Sequence, residues 1–173
     1  ASAMVNFSEL ALQPQGRPVR KTRPDRPLAR TRTESTSAAP VAASSSEAEP
    51  LLTAAGTQPS PAPSASFVAL LDNATAFNPD TQGAVGTNHL VVMLSSQMRI
   101  QNRSGGAIST VSLDAFWGTL GRSNVFDPRI IYDSARHRWL TAAINNPGTS
   151  NAHLLFGVSQ SADPTGSWYL HAI

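Results

Sequence analysis

The sequence predicts an all-β fold of antiparallel meanders, on three observations. Between Asp127 and Ile173, four apolar or aromatic-rich runs (Arg129–Tyr132, Arg138–Ile144, His153–Val158 and Trp168–Ile173) follow one another, each set off by turn residues; this is the pattern of strands joined by short connections. Each run is too short for a globular helix and is rich in Ile, Val, Leu, Tyr, Phe or Trp, which suits a pleated, half-buried surface. Four strands in about 45 residues is the size of one β-propeller blade.

An earlier blade is expected before it. Phe67–Leu71, His89–Leu94, Gln97–Gln101 and Ala107–Val111 are strand-like, and Asn102–Gly106 (NRSGG) is a turn rich in residues that tolerate positive φ. Gly83–Gly86 (GAVG) has no following Gly-Lys-Ser/Thr and reads as a turn before a strand. Phe116 and Trp117 form an aromatic pair expected to plug the space between sheets. Trp117, Trp139, Trp168 and Tyr169 are the side chains expected to pack the blades.

The folded part is expected to be shorter than the chain. Its 173 residues include 13 Pro and 11 Gly, and residues 13–65 are dominated by Pro, Ser, Ala, Thr and Arg, a composition that buries too little apolar surface to offset its ordering entropy. Val5–Leu12 could form two helical turns, too few to be stable alone. The division expected is a disordered spacer over 1–65, Arg-rich and then Ser/Ala/Pro-rich, and a propeller-type domain over 66–173 of about two blades. Because propellers close with four to eight blades, the chain is expected to be a fragment, with the remainder of its propeller as one partner. A two-sheet sandwich is the rival architecture.

Charge follows the same division. Seven basic residues (Arg17, Arg20, Lys21, Arg23, Arg26, Arg30 and Arg32) stand against Glu9 and Asp25 in the first 32 residues, whereas from Ser66 onward six Arg face six Asp. The calculated pI of 9.7 therefore belongs to the N-terminal segment, which lacks the interleaved aromatics that stack on bases; no nucleic-acid partner is expected. No apolar run is long enough to span a membrane. With no cysteine, disulfides and thiolate metal sites are excluded.

Through the strings NPDTQGAVGTNHLVVMLSSQMRI, VSLDAFWG, DPRIIYDSARHRW and SQSADPTGSWYLHAI, residues 67–173 resemble a group of mostly bacterial, exported β-propeller-like proteins, in which a PPDTxGAVGPNH-like opening, a DPRV-YD-RW strand pair and an SQTxDPTGxWY-like turn recur in this order. The resemblance implies an extracellular or cell-surface propeller and no particular activity. Asn78 and Thr87 stand where that group usually has proline.

All six carboxylates after Ser66 are aspartates: Asp72, Asp80, Asp114, Asp127, Asp133 and Asp163. Most stand in turn contexts, where a carboxylate accepts backbone N–H bonds and fixes the turn. The functional alternative assigns Asp80, Asp127 and Asp163 as oxygen ligands to Ca²⁺. Ser161–Trp168 (SADPTGSW) partly matches the Asp-box of sialidase-type propellers, in which Asp closes a hairpin turn and Trp packs the blade; Gly166 falls one position late. Asp127-Pro128 invites comparison with propeller glycoside hydrolases, but that chemistry needs a second carboxylate within about 5–10 Å, and no Glu follows Glu49. Gly157-Val-Ser159-Gln-Ser161 lacks the second glycine of a nucleophile elbow. His89, His137, His153 and His171 show no metal-ligand spacing. The function expected is a non-catalytic scaffold or binding module for a carbohydrate or protein partner, with a glycosidase as the alternative.

Overall fold

The structure is a computed structural model that describes residues 1–15, 20–21, 62–63 and 65–173. In chain order the elements are β1 (Ser2–Asn6), α1 (Phe7–Leu12), β2 (Gln82–Val85), β3 (His89–Met93), β4 (Gln97–Asn102), β5 (Ala107–Ser112), α2 (Leu113–Gly118), β6 (Val125–Asp133), β7 (Arg138–Asn145), β8 (His153–Ser159) and β9 (Ser167–Ala172). All pairings between strands are antiparallel. They make a four-stranded sheet, β2-β3-β4-β5, and a five-stranded sheet, β1-β9-β8-β7-β6. The fold is all-β; the described residues form two open sheets and close no barrel or propeller ring.

The N-terminus departs from expectation. Residues 2–6 add a fifth strand beside β9, with Val5 opposite Trp168, and α1 follows directly. Asn6 caps that helix, its side chain accepting the Glu9 N–H at 3.1 Å. Phe7 and Leu10 are buried, so a helix too short to persist alone is held by packing instead of propensity. The expected spacer therefore does not begin at residue 1; most of residues 13–65 lie outside the described residues.

Two further local readings are corrected. Phe67–Leu71 is not a strand. It crosses the face of the four-stranded sheet that points away from the core, where Gln97 Nε2 donates to the Leu71 carbonyl at 2.8 Å and Arg99 Nη1 to the Ala69 carbonyl at 3.4 Å. Gly83–Val85 lies within β2, and the turn begins only at Gly86. Phe116 and Trp117 sit on α2; Ser112 caps that helix by accepting the Ala115 N–H, and Leu113, Phe116 and Trp117 share its buried face.

One face of each sheet meets the other around this helix pair. Val91, Met93, Met98, Ile100 and Val111 come from the first sheet, and Ile130, Trp139, Leu155, Trp168 and Leu170 from the second. Phe116 lies at the centre, edge-on to Trp117 (5.2 Å) and to Trp168 (5.6 Å), with Phe7 at 6.1 Å. Two glycines admit these rings. A Cβ on Gly157 would meet Thr141 at 2.8 Å, Leu170 at 3.0 Å and Trp117 at 3.4 Å; one on Gly86 would lie 2.5 Å from the Trp139 ring. Gly157→Ala and Gly86→Ala are each expected to lower stability by about 1–3 kcal/mol through overpacking, read as a reduced urea midpoint at constant slope.

Candidate functional site

Strand direction decides which aspartates can meet. β2 and β6 run side by side in the same direction, as shown by Thr87 Oγ1 lying 3.4 Å from the Tyr132 hydroxyl just beyond one end of β2 and near the matching end of β6. Asp80, just before β2, and Asp127, near the start of β6, therefore lie at one end of the sheets. Asp163 lies in the β8–β9 loop, at the opposite end. The three do not converge on one cation, and among the described residues no group of three His, Asp or Glu side chains is placed to hold a metal.

Each of these positions has a local backbone reason. Asp163 Oδ1 accepts the Thr165 N–H at 2.9 Å and its hydroxyl at 2.7 Å, while Ser161 Oγ accepts the Asp163 N–H. The loop so fixed offers two carbonyls to the core tryptophans: Pro164 O accepts Trp168 Nε1 at 2.8 Å and Ala162 O accepts Trp139 Nε1 at 2.9 Å. Asp80 and Asp127 both have positive φ, at 48° and 51°, a region that Asp tolerates better than most residues. Asp127 sits with Pro128 in a bulge: Phe126 faces Ile144 but Arg129 faces Ala142, so two residues of β6 stand against one of β7. Pro128 needs no ladder partner there. Asp80 Oδ2 accepts the Ser95 hydroxyl at 3.1 Å. Asp72 and Asp133 bind N–H groups two and three residues on; the Arg136 N–H and guanidinium hold the Asp133 carboxyl below its usual range.

The four aromatics divide three to one. Trp117, Trp139 and Trp168 are fully buried. Tyr169, expected among the packing residues, is 45% exposed, because it alternates with Trp168 and Leu170 along β9 and so points to the other face of the sheet.

Lys21 is the residue that sequence reasoning misplaced. It is the chain's only lysine, grouped above with the Arg-rich part of the expected spacer. Its side chain is instead 8% exposed, and Nζ donates to Asp114 Oδ1 (2.7 Å), Val125 O (2.9 Å) and Ser95 O (3.0 Å). Burial pushes its pKa below the ordinary lysine value, and Asp114 opposes that shift. Asp114 also accepts the Val125 N–H at 2.9 Å. The cluster ties Lys21 to the β3–β4 turn, α2 and the start of β6. Three converging acceptors saturate an ammonium, so its chemistry is structural.

At the other end a second polar chain runs Thr87 Oγ1, Tyr132 OH and His137 Nδ1, with separations of 3.4 and 3.2 Å. The Tyr132 ring rests on Trp139 at 4.7 Å. His89 Nε2 lies 3.9 Å from Asp163 Oδ1. His153 and His171 lie apart from these, His153 beside the Asn151 carbonyl and His171 beside the Ser2 hydroxyl. The Thr87–Tyr132 and His89–Asp163 contacts join the two sheets.

An exposed apolar feature is the face of the five-stranded sheet that points away from the core. Register aligns Ile131, Leu140, Val158, Tyr169 and Met4 across all five strands in one row. A second row carries Arg129, Ala142, Phe156, His171 and Ser2. Ile131 is 59%, Met4 58% and Phe156 41% exposed. A hollow of about 200 Å³ opens in this face over β6, β7 and β8, where the small Ala142 side chain leaves space between Ile131, Leu140, Phe156 and Val158.

No protein-family model, curated protein or solved structure matches the chain. No helix among the described residues is long and apolar enough to cross a membrane.

Proposed function

We propose that the chain is a non-catalytic, propeller-type scaffold or binding module acting outside the cell, whose working surface is the outward face of the five-stranded sheet. The carrying observation is that face: a five-strand apolar row of Ile131, Leu140, Val158, Tyr169 and Met4 with a hollow beside it. Contiguous exposed apolar surface of this kind marks an interaction site. Arg129 and His171 are the ionisable residues of the second row, and a sugar would need more hydrogen-bonding groups than these aliphatic side chains offer. A protein surface is the better match. The propeller reading draws support from two successive four-stranded meanders whose first strands, β2 and β6, lie side by side, as the innermost strands of adjacent blades do. The resemblance of residues 67–173 to exported propeller-like proteins points the same way.

The roles of the aspartates support the non-catalytic reading. Asp72, Asp133 and Asp163 bind backbone N–H groups of their own turns, and Asp114 neutralises a buried lysine. A screen of the protein against a panel of polysaccharides is expected to give no reducing ends. Release of sugar that disappears in Asp127→Asn would establish the glycosidase alternative instead.

A further inference from the structure

We propose that residues 65–173 carry an acceptor site for a strand-and-helix peptide, and that residues 1–21 are its ligand, held by contacts that need no covalent link to the rest of the domain. β1 pairs with β9 from Ser2 opposite His171 to Asn6 opposite Ser167, which is the addition of a strand to a sheet edge. The pairing does not stop where the strand does. Phe7 and Ser8 N–H donate to the Gly166 and Thr165 carbonyls, each at 3.0 Å, and Ser8 Oγ donates to Thr165 O at 2.9 Å. The first N–H groups of a helix have no acceptor within it, so the β8–β9 loop supplies what α1 needs to begin. Asp163 already holds that loop in shape through Thr165.

Side chains complete the site. Val5, Phe7 and Leu10 enter the same buried cluster as Phe116 and Trp168, with the Phe7 ring 6.1 Å from that of Phe116. Gln15 Oε1 accepts the Ser112 N–H at 3.1 Å, at the cap of α2. Further on, the Lys21 N–H donates to Thr75 O at 2.7 Å, while Nζ reaches Asp114, Ser95 and Val125. Every one of these partners lies at Thr75 or later. α1 has six residues, too few to be stable in isolation, so the peptide takes its shape on the site and its folding is coupled to binding. Residues 22–61, which join ligand to domain, are rich in Pro, Ser and Ala, and none of the contacts above involves them. The site is separate from the proposal about the outward sheet face and stands whether or not that face binds a protein.

The glutamates make the test direct. They stand at Glu9, Glu34, Glu47 and Glu49, so a glutamate-specific protease acting on the native full chain cuts the connecting residues at Glu34 and Glu47 and reports through Glu9 whether α1 stays docked. Cleavage is expected at Glu34 and Glu47 and not at Glu9. Fragments 1–34 and 48–173 are expected to co-elute in size-exclusion chromatography at micromolar concentration and to separate only in denaturant. An isotope-labelled peptide of residues 1–34 should then exchange into the cut complex. Relative to that peptide, Phe7→Ala is expected to compete about a hundredfold less well or worse, the effect of truncating a buried aromatic, and Lys21→Met about tenfold less well. Leu12→Ser, at a position 88% exposed, should compete equally. Because only the peptide varies, misfolding of the domain cannot imitate these results. Loss of residues 1–34 from the cut protein, cleavage at Glu9 ahead of Glu34 and Glu47, resistance at those two sites, or a Phe7→Ala peptide that competes as well as the unchanged one would overturn the proposal.

Discussion

Trp168→Ala is expected to lower stability by about 3–5 kcal/mol, the range for truncating a fully buried large aromatic. The side chain is completely enclosed, edge-on to Phe116 and opposite Val5 of the N-terminal strand. Its indole N–H also closes the β8–β9 loop through Pro164, so the change opens a cavity and orphans a carbonyl at once. Trp168→Phe keeps most of the volume and loses the hydrogen bond, and is expected to cost distinctly less. Urea unfolding of the three proteins measures both differences; equal midpoints for wild type and Trp168→Ala would show that the ring is not part of the core.

Asp114→Ala is the second large effect, about 3 kcal/mol, because it leaves the Lys21 ammonium buried without its counter-charge. Lys21→Met removes charge and donor together and leaves the Ser95 and Val125 carbonyls unpaired; its expected cost is smaller, about 1–3 kcal/mol. Adding Lys21→Met to Asp114→Ala is therefore expected to restore stability, a coupling that a double-mutant cycle reads directly. Lys21→Arg should not substitute, since a planar fork cannot direct three donors at acceptors converging on one point. The pH dependence has a definite sign. A lysine whose pKa is lower in the folded state binds fewer protons there than in the unfolded chain, so its contribution to stability rises as pH climbs from its folded value toward the ordinary one. The melting difference between wild type and Lys21→Met should shift in favour of wild type over that window.

The last three strands, β7, β8 and β9, were legible because each alternates strictly. In β7, Trp139, Thr141, Ala143 and Asn145 are buried while Leu140, Ala142 and Ile144 are half-buried, and periodicity of two survives even where both faces are apolar. The same alternation explains the error at Tyr169: aromatic character suggested packing, but its neighbours Trp168 and Leu170 already occupy the inward positions. β1 was missed because five residues next to a helix-like run carry little pattern of their own, and only pairing with β9 makes them a strand. The switch is visible in retrospect, since Val5 and Phe7 are two apart and Phe7 and Leu10 three. α2 had a readable signal in Ser112 followed by apolar residues at 113, 116 and 117, the spacing of a helix face. Lys21 was hidden by its context of arginines; the sequence offered only the oddity of a single lysine among thirteen basic side chains. The apolar face was legible only in part, because which residues align across strands depends on register.

The central claim is that the aspartates of this chain hold turns and that its interactions are made by a sheet face. Thermal unfolding in millimolar calcium and in excess chelator tests it most directly. A bound cation at a hundredfold excess over Kd would add about 2.7 kcal/mol, or several degrees in Tm for a domain of this size. Identical midpoints are expected; a rise of several degrees in calcium, abolished by Asp80→Asn, Asp127→Asn or Asp163→Asn, would contradict the account.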